Sequence, residues 1–308
     1  MKQITLKKIL IVTSLLVLLF VVFAQFKDFK QSIEAIRNAR VLMLILSVVF
    51  SLFTYVAAAM VYKMLAIKPL PFARTLLVQL ASNFTNRLLP AGAGSLATFA
   101  RNLVKQEHSK QQATALVTIN NILGFFAITL LTLVVAVVSQ TPLSHAFKVH
   151  LTSFMLLVGI LVFLIFTLIL VVFGGLRAKV KKLQKGIIKD FKLIATKPSR
   201  LFGALAYSVL ISVSYAAVLY VSIKALNESA TILQTIGVLT VGVAAASITP
   251  TPGGIGGAEA GLVAGLNTIG IAPETGLSIA LVYRFATFWL PILPGFIAFQ
   301  IALKRKVL

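Results

Sequence analysis

The sequence contains no cysteine, only seven acidic residues and only three histidines. Without cysteine there is no disulfide framework, no thiolate nucleophile and no Cys-ligated zinc. His108, His145 and His150 do not have the spacing of metal ligands on one helix, so we expect no metal and no cofactor. Neither a Ser-His-Asp set nor paired catalytic carboxylates can be assembled. We therefore expect a function other than catalysis.

Charged residues are scarce as well, and apolar residues take their place. Of the 308 residues, 59% are hydrophobic and 12% are charged, whereas soluble proteins have about 45–50% and about 25%. An ordinary soluble domain is therefore excluded. The composition predicts a polytopic membrane protein.

Six apolar runs are long enough to cross a bilayer, which takes about 17–25 residues in a helix. Helices are expected because an open sheet edge is not stable in hydrocarbon. The predicted spans are 9–25, 41–62, 114–138, 151–173, 201–225 and 276–302.

Two further apolar segments, 75–100 and 231–270, are interrupted in the middle by proline and glycine. The interruptions lie at 86–94 and 249–257. Proline removes a backbone donor and glycine accepts positive φ, so neither segment is a single straight helix. Each is predicted to form two half-helices joined by a sharp turn.

The chain shows an internal duplication. Pro90 and Pro252 lie 162 residues apart, and so do Thr114 and Gly276, where the following spans begin. Each half has the order span, span, broken hairpin, span, which is typical of transporters built from inverted repeats. We assign the first repeat to 1–140, with a hairpin at about 75–110, and the second repeat to 151–302, with a hairpin at about 231–270.

Basic residues predict the topology. The loop 174–200 contains nine lysines and arginines against Asp190, so it is expected in the cytoplasm. The other basic stretches agree only if both hairpins are re-entrant and enter from opposite faces. The predicted fold is an all-α polytopic membrane protein with about six full spans and two re-entrant hairpins in an inverted-topology repeat. Both termini are expected on the cytoplasmic side of the inner cell membrane.

The second half carries one acid and one base within its apolar segments, Glu259 and Arg284. A charge at the bilayer centre costs at least about 2.5–3.5 kcal/mol, so each of these two side chains needs a partner of opposite charge or a water-filled cavity. We expect the two side chains to pair. The pair could be a structural salt bridge or take part in substrate or proton handling, and the sequence leaves both open.

The candidate substrate site combines these charges with the polar groups of the first half and with the two Pro/Gly turns. Asparagine can equally join helices by hydrogen bonds, and glycines spaced four apart can equally serve close packing or present backbone donors to an anion. The candidate residues are Asn83, Asn86, Arg87, Pro90, Gly92, Gly94, Asn120, Asn121, Pro252, Gly253, Gly254, Gly256, Gly257, Glu259, Tyr283 and Arg284.

Two motifs of the second half carry a resemblance to a known family. They are Pro-Gly-Gly-Ile-Gly-Gly-Ala-Glu at 252–259 and Tyr-Arg-Phe-Ala-Thr-Phe-Trp-Leu-Pro at 283–291. Together they resemble the lysylphosphatidylglycerol synthase transmembrane region family, whose members are flippase-like. The first half departs from the family pattern, with Gly94-Ser95 in place of Gly-Glu and Asn120-Asn121 in place of an arginine. The soluble aminoacyl-transfer domain of the two-part enzymes is absent from this sequence, so the resemblance implies lipid transport without lipid aminoacylation.

The leading hypothesis is a lipid translocase, or flippase, for an anionic or zwitterionic headgroup. Its expected partners are membrane lipids, either an anionic phospholipid or a polyprenyl phosphate, and self-association into a homo-oligomer is compatible with the sequence. No nucleic acid is expected, because the basic residues lie between apolar runs and not on one soluble face. The alternatives are a secondary transporter of a small hydrophilic solute and a non-transporting membrane partner of a lipid-modifying enzyme.

Overall fold

The computed structural model of the protein describes residues 33–37, 39–88, 93–138, 197–249 and 251–308, and within these ranges all regular structure is helical. The predicted spans 9–25 and 151–173, most of the basic loop 174–200, and the turn residues Pro90 and Gly92 lie outside the described residues. Nine α-helices follow one another in the described part of the chain. They are α1 (Val41–Leu65), α2 (Phe72–Leu88), α3 (Ala93–Lys105), α4 (Lys110–Val138), α5 (Pro198–Ala225), α6 (Ile232–Ile248), α7 (Gly257–Thr268), α8 (Pro273–Arg284) and α9 (Ile292–Lys304).

Four helical segments of the described chain are long and apolar enough to cross a membrane. They correspond to the predicted spans 41–62, 114–138, 201–225 and 276–302, and the last one is the run of α8 and α9 through a π-helical segment. Large apolar side chains such as Ile45, Phe53 and Phe125 are exposed on their outer faces, as expected where lipid is the solvent. The prediction of an all-α polytopic membrane protein is confirmed.

Helices α1 and α5 pack side by side and run in opposite directions. The amide of Arg40, before α1, donates to the carbonyl of Ala225 at the end of α5, at 3.0 Å. At the other end, the Arg200 guanidinium donates to the carbonyl of Ala66, at 3.3 Å. An inverted repeat requires this antiparallel arrangement of counterpart helices, and the repeat itself stays a prediction.

The two interrupted segments form pairs of short helices, α2 with α3 and α6 with α7. The longest of the four has 17 residues, about 25 Å at 1.5 Å per residue, which is shorter than a hydrocarbon core of about 30 Å. Helix α6 begins with a capping box between Thr231 and Gln234. Gly261 and Gly265 of α7 lie against the backbone of α6 with little or no room for a Cβ. The close-packing interpretation of these glycines is confirmed.

The connections at one end of the helices are rich in basic residues, and we call this the basic end. The backbone of Lys68 contacts the ring of His108, and the Lys105 ammonium donates to the carbonyl of Lys306 at 2.8 Å. Arg200 joins the same end through Ala66. The positive-inside rule predicts that the basic end is cytoplasmic. Its described basic side chains are Lys63, Lys68, Arg74, Arg101, Lys105, Lys110, Lys197, Arg200, Lys304, Arg305 and Lys306.

Candidate functional site

The end of α2 and the turn before α7 both lie beside the middle of the long helical run Pro273–Lys304. Arg87, in the last turn of α2, donates from Nη2 to the carbonyl of Thr287 at 2.6 Å. Arg284 donates from Nη2 to the carbonyl of Gly253, in the turn before α7, at 3.2 Å. The end of α2 and the turn before α7 therefore lie at the same height, near the midpoint of a membrane-length helix.

The helix is irregular at this point, and its sequence explains why. Residues Phe285–Trp289 form a π-helical segment in which the amide of Leu290 donates to Phe285, five residues back. Because the amide of Leu290 donates to Phe285, it is not available to Ala286, and Pro291 has no N–H group for Thr287, so both carbonyls lack their usual α-helical donors. Side chains of the first half replace those donors. Ser51 donates to Ala286 at 2.8 Å and Arg87 donates to Thr287.

Arg284 is held by an acidic partner, as the sequence predicted. Its Nε donates to Oε1 of Glu259 at 2.6 Å, and both side chains are largely buried. The other carboxylate oxygen of Glu259 accepts the amide of Gly256 at 2.8 Å and so caps the start of α7. Glu259 therefore positions Arg284 and also occupies the donor that a glycine-rich turn could have presented to an anion.

Arg87 is buried without an acidic partner. Only 5% of it is exposed. Its Nη1 donates to the backbone oxygen of Asn83 at 2.9 Å and to the side-chain oxygen of the same residue, and the Asn83 amide in turn donates to the hydroxyl of Tyr55. Among the described residues it forms no ion pair, and its buried Nε has no hydrogen-bond partner. Arg87 thus keeps an uncompensated positive charge.

The ring of Phe288 lies between the two halves of the site. The guanidinium carbon of Arg87 is 4.9 Å from the ring centroid and that of Arg284 is 4.2 Å from it. Both distances are within the range of a cation–π contact. Two arginines, one from the first hairpin and one from the end of α8, are therefore held around one aromatic side chain.

A cavity of about 510 Å³ opens beside these arginines, a size typical of ligand sites. Residues of both hairpins and of α1, α4, α5 and α8 line it. Of the predicted site residues, those lining the cavity are Asn83, Asn86, Arg87, Asn120, Asn121, Gly253, Tyr283 and Arg284. The sequence analysis missed other polar lining residues, namely Tyr62, Gln79, Ser95, Ser208, Ser212, Tyr215 and Thr287. The spacing of Ser208 and Ser212 on one face of α5 was the available signal.

The remaining predicted residues do not line this cavity. Gly94, Gly254 and Gly257 lie where a Cβ would meet Thr85, Ala246 and Thr249 respectively, so they allow close packing of the hairpins. Gly256 and Glu259 border a second, more open groove of about 650 Å³, together with Asn267 and Glu274. Pro90 and Gly92, and the side chain of Pro252, are outside the described part of the chain.

The cavity reaches the apolar surface of the protein between α4 and α6. Asn121, Gly124 and Val243 line the cavity and are also exposed. Their exposed neighbours Ile122 and Phe125 are large and apolar. The polar interior is therefore continuous with a surface suited to lipid.

Residues 7–295 of the chain match the family described as "Lysylphosphatidylglycerol synthase TM region". The chain belongs to this family. The resemblance that the motifs at 252–259 and 283–291 suggested is confirmed. Membership in the lysylphosphatidylglycerol synthase TM region family and the apolar helices together establish a multi-pass membrane protein with a function related to membrane lipid. A comparison with curated proteins gives no match.

Proposed function

We propose that the protein is a lipid translocase that moves an anionic or zwitterionic headgroup through the central cavity. It would act in the cytoplasmic cell membrane with its basic end and both termini inside. The observation that carries this proposal is the convergence of Arg87, from the first half of the chain, and Arg284, from the second half, on Phe288 at mid-height of a membrane-length helix.

Moving a phosphate across hydrocarbon requires counter-charge at the depth where water is absent, because an unpaired buried charge is costly. Arg87 supplies that charge, since no described acid neutralises it. Its guanidinium geometry also suits phosphate, which it can bind through two parallel hydrogen bonds. Glu259 holds Arg284 at the opposite wall, where it completes the site.

The opening between α4 and α6 favours a lipid over a soluble substrate. A lipid needs a polar path for its headgroup while its tails stay in hydrocarbon, and the rim at Asn121, Gly124 and Val243 provides contact with both. A transporter of small solutes needs no such lateral opening. An accessory role beside a lipid-modifying enzyme would give no transport by the protein alone.

Reconstitution into liposomes tests the proposal. The purified protein is expected to accelerate the transbilayer movement of an acyl-labelled anionic phospholipid or polyprenyl phosphate over protein-free liposomes. Arg87→Ala should slow this movement about tenfold or more, because a charge-assisted contact contributes about 1.5–3 kcal/mol. Arg101→Ala, which removes an exposed arginine at the basic end, is the matched control and should leave the rate close to that of the wild type.

The same liposome assay distinguishes a lipid translocase from a solute transporter. A Cβ at Gly124 would meet nothing within 4 Å, so Gly124→Trp should fold and obstruct the opening, whereas Leu133→Trp on the exposed face of the same helix should not. Absence of acceleration with every lipid, combined with uptake of a water-soluble substrate, would establish the solute transporter instead.

A further inference from the structure

We propose that the central cavity selects a lipid phosphodiester whose headgroup carries hydroxyl groups and no amine, such as a polyol or a sugar. The inference rests on the proposed translocase function and specifies its substrate class. Three features carry it: the placement of the acidic residues, the balance of charge around Phe288, and the chemistry of the remaining cavity wall.

None of the described residues that line the cavity is acidic, so they offer no carboxylate to an amine there. The chain has seven acidic residues, Asp28, Glu34, Glu107, Asp190, Glu228, Glu259 and Glu274. Of the described acids, only Glu259 lies inside the half-helices of a broken hairpin, since Glu107 follows the end of α3 and pairs with Lys68 at the basic end. Both of its oxygens are engaged, by Arg284 and by the Gly256 amide, and the residue borders the outer groove and not the central cavity. A headgroup ammonium would therefore meet two guanidinium groups and no opposite charge.

The balance of charge specifies the anion. Arg87 and Arg284 contribute two positive charges and Glu259 contributes one negative charge, so the site carries a net single positive charge. A phosphodiester has one negative charge and neutralises the site. A diphosphate or a doubly ionised monophosphate would leave excess negative charge in a low-dielectric surrounding, which is unfavourable.

The rest of the cavity wall matches hydroxyl groups. Helix α5 contributes three of the hydroxyl groups of the wall, and α1, α3, α8 and the π-helical segment contribute the others. The amide side chains all come from the first half of the chain, at Gln79, Asn83, Asn86, Asn120 and Asn121. Carboxamides and hydroxyls both donate and accept hydrogen bonds, as do the hydroxyls of a polyol or a sugar. A phosphate beside the arginines can thus be accompanied by hydroxyl groups along the amide-bearing wall.

The test compares two phospholipids that share their labelled acyl tails and differ only in headgroup, phosphatidylglycerol and phosphatidylethanolamine. A third lipid, a labelled polyprenyl sugar phosphodiester, shows whether the preferred lipid is a phospholipid or a polyprenyl lipid. The wild-type protein in liposomes should move phosphatidylglycerol or the polyprenyl sugar lipid at least about tenfold faster than phosphatidylethanolamine. A binding site discriminates strongly against a substrate that leaves buried polar groups without partners. Equal or faster movement of phosphatidylethanolamine would overturn the inference.

A carboxylate introduced into the cavity tests the physical cause. Asn120→Asp places an acid in the cavity wall and should lower the ratio of phosphatidylglycerol to phosphatidylethanolamine movement about tenfold. Asn267→Asp makes the same chemical change in the outer groove and should leave the ratio unchanged. Ser212→Asp provides a second position in the cavity if Asn120→Asp does not fold. An unchanged ratio in a folded cavity variant would refute the charge argument.

The two proposals fail in different ways. If every lipid moves at the rate of protein-free liposomes, the translocase function is wrong. If all the lipids move faster than in protein-free liposomes but at equal rates, the translocase function stands and the substrate class is wrong.

Discussion

Arg87 and Arg284 occupy equivalent depths but have different electrostatic surroundings. Arg284 is tied to both sides of the second turn, through the Glu259 carboxylate and the Gly253 carbonyl. Arg87 is tied to carbonyl and amide oxygens and to an aromatic ring, with no described acid beside it. Arg284 therefore fastens a hairpin, whereas Arg87 keeps its full charge for a ligand.

The Glu259–Arg284 pair leads to a prediction about single and double variants. Glu259→Gln or Arg284→Met alone should lower the free energy of unfolding by about 3–5 kcal/mol, because each leaves an uncompensated buried charge. The double variant should recover much of that loss, since no buried charge is then left without its partner. Thermal unfolding of the detergent-purified protein measures both effects.

Transport by the same double variant decides what the pair does beyond folding. If Arg284 contacts the substrate, transport stays low although stability returns. Full recovery of both would show that the pair is only a structural fastener. Lys68 and Glu107 form an exposed ion pair at the basic end, and breaking it is the control, because exposed pairs contribute about 0–1 kcal/mol.

At the scale of elements, the irregular segment Phe285–Trp289 joins the two halves of the protein. The π-helical hydrogen bond of Leu290 leaves Ala286 without a backbone donor and Pro291 leaves Thr287 without one, and Ser51 and Arg87 of the first half satisfy these two carbonyls. Phe288, in the same segment, is the ring on which both guanidinium groups rest. One proline thus creates the acceptor that positions an arginine more than two hundred residues earlier in the chain.

This role of Pro291 is testable by Pro291→Ala. The new N–H can donate to the Thr287 carbonyl, so Arg87 would lose exclusive use of that acceptor and its contact would weaken. We expect lipid movement to slow about tenfold, since a charge-assisted hydrogen bond contributes about 1.5–3 kcal/mol, with the unfolding temperature unchanged or higher. Transport and thermal unfolding are measured on the same preparation.

Pro294→Ala is the control for Pro291→Ala. It restores an N–H less than one helical turn further on, where the missing bond would reach Leu290 and not Thr287. Normal transport by Pro291→Ala, or equal slowing by both variants, would contradict the positioning role of Pro291.

At the scale of the whole molecule, hydrophobic runs and Pro/Gly interruptions predicted most of the described architecture. The four described spans and both helix pairs lie close to the predicted ranges, because a length of about 20 apolar residues and the loss of backbone donors are local properties. The Glu259–Arg284 contact was also predictable, since the predicted apolar segments of the second half contain no acid other than Glu259.

Other parts of the site depend on packing between distant elements and were not predictable. The hydrogen bond from Arg87 to Thr287 requires knowing that two hairpin turns meet beside one helix. Gly254 follows Gly253 in the same turn, yet only Gly253 lines the cavity, because the facing helix decides which side of a turn is filled. Tyr215 lies in an apolar span, where periodicity does not separate a cavity face from a packed face.

The orientation of the entire bundle can be determined from helix α5. Its 28 residues extend about 42 Å, enough to cross the bilayer. Exposed serines mark its two ends, Ser199 in the first turn and Ser229 just after the last. Because the chain has no cysteine, Ser199→Cys and Ser229→Cys each introduce a single, nearly isosteric thiol. A membrane-impermeant maleimide should label position 229 in intact cells and position 199 only after permeabilisation, since Ser199 lies at the basic end.

The antiparallel contact between α1 and α5 extends this result to the first half of the chain. Arg40 is bonded to Ala225 and Arg200 contacts Ala66, so fixing the direction of α5 fixes the direction of α1. Labelling of position 199 from outside would place the basic end outside and reverse the proposed orientation. Labelling of both positions from the same side would mean that α5 does not cross the membrane. The two hairpins could then not meet at the centre of the membrane.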